Sequence, residues 1–161
     1  MSVPPIPANC NTVNIYLVCK DAKAAIEFYV KAFGGSSDYI MKGPDGSVMH
    51  GEVRIGNSTV MISEENADWK MLSPNSLGGS PASIHLYVDD SDAVFANAIA
   101  AGCKEVQPMS DVFWGDRYGK VEDPFGYQWG IATHKEQLTH EQLDQRAAEF
   151  FAAMSGGEEA H

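Results

Sequence analysis

Hydrophobic residues alternate with polar ones in several short stretches of this chain, which is the pattern of β-strands. In the first half, strands are predicted near 13–19, 37–42, 47–55 and 58–63. After the first strand, apolar residues recur with helical spacing, which predicts a helix from the capping residue Asp21 to about Phe33. Gly34 then ends this helix. The predicted order of the first half is therefore β-α-β-β-β.

The second half predicts the same order of elements. Its strands are expected near 83–88, 104–107, 117–122 and 127–132. A helix is expected from Asp90 to about Ala101, with Gly102 after it. A last helix over about 140–154 has no counterpart in the first half; its apolar stripe consists of Leu143, Ala147, Phe150, Phe151 and Met154. Thr139 and Gln142 have the spacing of a capping box at its start.

Matching residues in the two halves lie at nearly constant spacing. Asp21 and Asp90 are 69 residues apart, and the spacing stays within a residue of that value at later glycines and strands. A long period held at several points indicates a duplicated structural unit. The sequence thus predicts an α+β protein with two tandem βαβββ modules that form a cupped mixed sheet, plus a C-terminal helix.

The predicted domain boundaries follow from this repeat. Residues 1–11 are expected to be a flexible N-terminal lead and 12–134 one domain, with modules at about 12–65 and 81–134. Residues 66–80, rich in Gly, Ser, Asn and Pro, are expected to be a linker, and 135–161 the C-terminal helix and a disordered tail.

Composition narrows the classes of partner and compartment. A formal net charge of −11 argues against nucleic acid, whose phosphates require clustered Lys and Arg. No apolar run has the length of a membrane span, and the N-terminus lacks the features of a signal peptide. Three cysteines without metal-type spacing are typical of reduced thiols. We therefore expect a cytoplasmic protein without a membrane partner.

Alternation along the strands assigns side chains to the two faces of each sheet. The helix-covered face is expected to carry Ile15, Leu17, Cys19, Ile84, Leu86 and Val88, and also Met61 with Ile131. The opposite face then carries Val60 and Ile62 together with aromatic and polar residues. The candidate ligand-binding residues are Tyr16, His85, Tyr87, Trp114, Arg117 and Gln128.

Three sets of residues each allow two interpretations. His85 is either a hydrogen-bonded structural residue or a ligand-binding or acid–base group. His50 and Glu52 share a strand face and are either a metal or general-base pair, or ordinary exposed strand residues. Arg117 either binds an anionic group or pairs with Asp116 or Asp123 to brace a turn.

Several motifs resemble those of a known superfamily. The run Ala25-Ile26-Glu27-Phe28-Tyr29 before Ala32-Phe33-Gly34, and Asp123-Pro124-Phe125-Gly126 near the end, are similar to motifs of the vicinal oxygen chelate superfamily. That superfamily includes glyoxalase I, bleomycin-resistance proteins, fosfomycin-resistance enzymes and extradiol dioxygenases. The run Trp114-Gly115-Asp116-Arg117-Tyr118-Gly119 is similar to an uncharacterised bacterial branch of it. The resemblance covers about residues 12–134.

The resemblance implies a metal site whose usual ligands this chain lacks. Enzymes of the superfamily hold a divalent metal with one residue from the first and last strand of each module. The matching positions here are Asn14, Val60, Ser83 and Gly130, of which Val60 and Gly130 have no donor atom in the side chain. We therefore expect no cofactor and no metal at this site.

Two classes of function remain, and a weaker third. The first is metal-independent binding of a small molecule in the sheet cleft by a homodimer, as the resemblance to bleomycin-resistance proteins implies. The alternative is a lyase, isomerase or dioxygenase that uses an off-pattern metal, or a general base such as His85 or Glu52. The third is a role as partner of another protein, through the C-terminal helix.

Overall fold

The computed structural model describes residues 3–156. The first module contains β1 (Ile15–Cys19), α1 (Ala22–Phe33), β2 (Ile40–Lys42), β3 (Val48–Ile55) and β4 (Ser58–Glu64). The second contains β5 (Ser83–Tyr87), α3 (Ser91–Ala101), β6 (Lys104–Asp111), β7 (Asp116–Glu122) and β8 (Gln128–His134). Between the modules lie a 3-10 turn (Ala67–Trp69) and a short helix, α2 (Pro74–Leu77); α4 (His140–Ser155) follows the second module.

The two modules have the same topology, as the repeat predicts. Each forms a four-stranded sheet, in the orders β1-β4-β3-β2 and β5-β8-β7-β6. In both sheets the first strand runs parallel to the last and the other pairings are antiparallel. The predicted caps are confirmed, since Asp21 accepts a hydrogen bond from Ala24 N and Asp90 from Ala93 N. The fold is therefore a mixed α+β duplication.

Two segments are more ordered than their composition suggests. Within the expected linker, Asn66 caps the 3-10 turn and Ser73 caps α2. Strand β6 continues beyond its predicted end at 107, and shifts of its register around Pro108 accommodate the missing N–H of proline. Residues 1–2 of the expected lead and 157–161 of the expected disordered tail lie outside the described residues.

One prediction about strand faces is wrong. Val60 and Ile62 are buried at 3% and 0% exposure and pair with Ile15 and Leu17 on the helix-covered side of the sheet. Met61 lies on the opposite face, where it pairs with Tyr16. The error has a simple cause: β4 and β8 are offset by 69 residues, not 70, and a shift of one residue exchanges the two faces of a strand.

The two modules share one hydrophobic core. Helix α1 packs on α3, and the rings of Tyr29 and Phe33 on α1 contact Trp129 of β8, with ring centroids 5.1 and 4.4 Å apart. The buried carboxylate of Asp123 lies beside this cluster and accepts hydrogen bonds from Tyr29 Oη at 2.7 Å and Trp129 Nε1 at 2.8 Å. Burial raises the pKa of Asp123, and these hydrogen bonds oppose that rise.

The edge of β1 is also attached to the second module. The hydroxyl of Tyr127 donates to the carbonyl of Val18 at 2.9 Å and accepts from the N–H of the same residue at 3.0 Å. One side chain thus satisfies both backbone groups of Val18 at this edge. These contacts hold the two sheets in a fixed relation, with one face of each sheet covered by helices and the other, called here the open face, turned away from them.

Helix α4 lies on the surface. Its capping box between Thr139 and Gln142 is confirmed. None of its residues is buried, and it is attached by an Arg146–Glu136 ion pair of 2.7 Å and by contact of Phe150 with Phe113. Within residues 3–156, no helix is both long enough and apolar enough to cross a membrane.

Candidate functional site

The open face of the first module carries a chain of polar contacts. Tyr16 Oη lies 3.4 Å from His50 Nδ1, and His50 Nε2 lies 3.2 Å from a carboxylate oxygen of Glu52. The other oxygen of Glu52 accepts a hydrogen bond from Asn9 at 2.9 Å. The sequence prediction that His50 and Glu52 share a face is therefore confirmed, and the two side chains bind each other.

The open face of the second module also pairs a histidine with a tyrosine, but each residue lies on the strand that the other occupies in the first module. His85 on the first strand stacks on Tyr118 of the third, with centroids 5.7 Å apart and planes at 10°. Tyr16 and His50 occupy the equivalent strands of the first module, with centroids 5.8 Å apart. Gly130 lies under the His85–Tyr118 pair, where a Cβ atom would approach His85 Nδ1 to 2.9 Å. Glycine at this position therefore leaves room for the stacked rings.

A buried carboxylate organises the rest of the second open face. Asp116 is only 2% exposed, and its side chain accepts hydrogen bonds from Tyr87 Oη and Trp114 Nε1, both at 3.0 Å. Its other oxygen lies 2.8 Å from His134 Nδ1. Three side chains are thus fixed by one acceptor, while Tyr87 itself stays 63% exposed. The hydrogen bond to Asp116 raises the pKa of Tyr87 and that of His134.

The pKa of His134 predicts a pH dependence of stability. Because the pKa in the folded state is raised, His134 stabilises the fold below its ordinary pKa of 6.5, and this contribution is lost as the pH rises through the folded-state pKa. We expect His134→Gln to remove this part of the pH profile. Urea unfolding measured from acidic to alkaline pH tests this, with the exposed His140→Gln as control; parallel profiles for His134→Gln and the unmodified protein would contradict it.

A groove runs along the junction of the two modules. Its volume is about 570 Å³, within the range usual for small-molecule sites. The first module contributes Ile15, Phe33, Ile55, Val60 and residues 56–58, and the second contributes residues 84–88 of β5 and its end. His85 and Tyr87 are thus the two predicted ligand-binding residues that line this groove.

The comparisons with known proteins decide the family. The model of the Glyoxalase/Bleomycin resistance protein/Dioxygenase superfamily matches residues 11–131. The chain belongs to this superfamily. It is 41% identical over 131 residues to an uncharacterized protein of Mycobacterium bovis. The matched segment covers 80% of this chain and 86% of the relative.

Solved structures of other proteins share the fold. TioX from Micromonospora superposes with a TM-score of 0.61 at 25% identity, over 77% of this chain and 98% of TioX. A fosfomycin resistance protein, FosX from Listeria monocytogenes, superposes with a TM-score of 0.58 at 18% identity, over 85% of this chain and 97% of that one. The FosX crystal contained Mn(II). This likeness, at such low identity, concerns the fold alone.

The residues of this superfamily member do not fit the metal that the resemblance implies. With the face of β4 corrected, the four positions are Asn14, Met61, Ser83 and Gly130, and Gly130 has no side-chain donor. The amide group of Asn14 is already hydrogen-bonded to both backbone groups of Asn11. Among residues 3–156 there is also no cluster of three or more His, Cys, Asp or Glu that could hold a metal. These donors do not match those preferred by transition metals.

The structure separates the six predicted ligand-binding residues. His85, Tyr87 and Trp114 lie together around the Asp116 network, whereas Tyr16 lies on the first module. Gln128 pairs with Ser83 at the other end of the second sheet. Arg117 lies on the helix-covered side, where its guanidinium binds both carboxylate oxygens of Asp92. Arg117 therefore forms ion pairs, but with Asp92 and Asp111 and not with Asp116 or Asp123.

Asp116 and His134 are site residues that the sequence analysis missed as a pair. They face each other because β7 and β8 form a hairpin around the loop at 123–127. Once that loop is taken as the hairpin connection, its register pairs residue 116 with residue 134. The Asp-Pro-Phe-Gly motif was therefore the signal that could have found them.

Proposed function

We propose that this superfamily member binds a small organic molecule, without a metal ion, in the groove at the module junction. The observation that carries the proposal is the exposed ring of Tyr87, held by buried Asp116 beside His85 at the wall of a mainly apolar groove. A rigid aromatic ring with a polar end is a common recognition element, because ordering it on binding costs little entropy. The ligand would stack on Tyr87 and exchange a hydrogen bond with His85.

Screening of metal-stripped protein by NMR, with methyl-labelled isoleucine and valine, tests this proposal. Compounds that shift the methyl signals of Ile84 and Val60 occupy the groove. For these compounds we expect Tyr87→Ala to weaken binding about tenfold, the loss of one good aromatic contact. Tyr39→Ala is the matched control, since Tyr39 is 56% exposed and lies outside the groove. Unchanged affinity in both Tyr87→Ala and His85→Ala would refute the assignment.

A second candidate function is metal-independent proton transfer, and the Asp116–His134 contact favours it. A buried carboxylate that orients an imidazole is a common arrangement for acid–base chemistry. In this candidate His134 replaces His85 and Glu52 as the titrating group, and it lies beside Tyr87 in a second shallow groove. Exchange of carbon-bound protons of a groove ligand with deuterated water would support catalysis if His134→Gln abolishes it. Absence of exchange in the unmodified protein would contradict catalysis and favour a binding function.

We extend the proposal to the assembly and its compartment. A homodimer is supported by large apolar side chains left exposed near the second open face and on α4: Tyr87, Trp114, Phe150, Phe151 and Met154. Analytical ultracentrifugation of the unmodified protein and of Phe150→Ser tests the dimer. A monomeric mass for the unmodified protein would contradict it.

A cytoplasmic location is supported by three free cysteines, because such thiols persist in reducing compartments.

A further inference from the structure

A separate pocket lies at the end of the first sheet, away from the junction groove. It is bounded by the start of β3, the end of β4 and the 3-10 turn, and has a volume of about 250 Å³. We call it the Ser63 pocket. Tyr16 is the one predicted ligand-binding residue in its wall. The residues that carry the argument are Ser63, Glu64, Trp69, Met49 and Met71.

Ser63 is a buried polar group without a partner. Its side chain lies in the pocket wall at 4% exposure, and its hydroxyl has no hydrogen-bond partner among the described residues. A buried hydroxyl that makes no hydrogen bond destabilises the folded state, so such a group calls for a functional explanation. A ligand that enters the pocket and hydrogen-bonds to Ser63 removes this cost.

The charge in the pocket wall is negative. Asp45, Glu64 and Glu65 line it, and no Lys or Arg is among the described residues that do. Glu65 is occupied by hydrogen bonds from Ser73 and Ser76, which lower its pKa and keep it ionised. Glu64 accepts one hydrogen bond, from Val48 N to Oε2 at 3.1 Å, which leaves Oε1 as an acceptor for a ligand.

The rest of the wall is aromatic and sulfur-containing. Trp69 is 62% exposed at the pocket, and Met49 and Met71 lie in the wall near it. Among aromatic rings, the indole face attracts cations most strongly, and thioethers adapt to apolar groups of varied shape. Anionic oxygens next to an exposed tryptophan and two methionines therefore suit a group with a positive charge and a hydrocarbon body.

We infer that the Ser63 pocket binds a small organic amine in its ammonium form. The ammonium group donates a hydrogen bond to Ser63 Oγ and is attracted by the carboxylate of Glu64 in the same pocket wall, and the hydrocarbon part packs on Trp69 and the two methionines. This site is distinct from the junction groove, so it extends the proposed function and does not depend on it.

Three probes of similar size but different charge test this inference. They are 2-phenylethylamine, 2-phenylethanol and phenylacetate, titrated at neutral pH into full-length protein and followed by NMR of the Trp69 indole. We expect the amine to bind about tenfold more tightly than the alcohol, as a charge-assisted hydrogen bond would give, and phenylacetate not to bind. Equal binding of all three, or no amine binding up to about 10 mM, would overturn the inference.

Variants separate the pocket from other binding modes. Ser63→Ala removes a hydroxyl that is unpaired in the free protein, so we expect unchanged or higher thermal stability together with several-fold weaker amine binding. Glu64→Gln should weaken the amine but not the alcohol. Ser37→Ala is the matched control, because Ser37 also has a buried hydroxyl without a partner among residues 3–156 and lies outside the pocket. Amine binding that survives both Ser63→Ala and Glu64→Gln would overturn the inference, whatever the junction groove binds.

Discussion

Replacing Asp123 with alanine is expected to lower the free energy of unfolding by about 3–5 kcal/mol, because several buried donors would lose their acceptor at about 1–3 kcal/mol each. The donors are Tyr29 Oη, Trp129 Nε1 and the backbone N–H groups of Phe125 and Tyr127, at 2.7 to 3.0 Å. Because Tyr29 belongs to the first module and the other donors to the second, the loss should weaken the contact between the modules.

Urea unfolding followed by circular dichroism measures this loss. Asp123→Asn keeps the shape and one carbonyl acceptor, so its effect should be smaller than that of alanine. Asp38→Ala is the exposed control and should change stability by no more than about 0.5 kcal/mol. A loss below about 1 kcal/mol for Asp123→Ala would show that this carboxylate does not hold the donors together.

Replacing Trp129 with alanine is expected to cost a similar amount, about 3–5 kcal/mol, for a different reason. Trp129 has no exposed surface, and its ring fills the space between the sheet of the second module and Phe33 and Tyr29 of the first. The cavity left by alanine would remove dispersion contacts on both sides of the junction.

The matched control is Trp69→Ala, because Trp69 is 62% exposed. We expect Trp69→Ala to stay within about 0.5 kcal/mol of the unmodified protein. The midpoint and slope of urea unfolding give the free energy of unfolding of each variant. Separate unfolding of the two modules in the unmodified protein, or a small effect of Trp129→Ala, would contradict a single shared core.

Local signals made much of the fold predictable. Helix ends depend on hydrogen bonds and backbone angles within a few residues, so the sequence carries them directly. Examples are the helix starts at Asp21, Asp90 and Thr139 and the helix end at Gly34. The duplication was visible because both modules keep the same capping residues at nearly the same spacing. The turn and short helix between the modules were missed because Gly, Ser and Asn suit both loops and caps.

Features that depend on register were harder to predict. A drift of one residue in the repeat exchanged the faces of β4 and placed Val60, a core residue, on the open face. Arg117 was predicted to bind a ligand together with Trp114, but β7 begins at Asp116, so Asp116 and Arg117 point to opposite faces. The shared face of His85 and Tyr87 was predictable because alternation within one strand needs no long-range contact.

The central claim is that this superfamily member binds small molecules without a metal ion. It is tested most directly by incubating purified protein with nickel, iron(II), manganese or zinc, removing the excess, and measuring retained metal by mass spectrometry. Because Gly130 supplies no donor and Asn14 is engaged by Asn11, we predict no stoichiometric retention of any of the four metals. Retention of one metal per chain, lost in His50→Ala or His85→Ala, would contradict the claim and favour a metal-dependent enzyme.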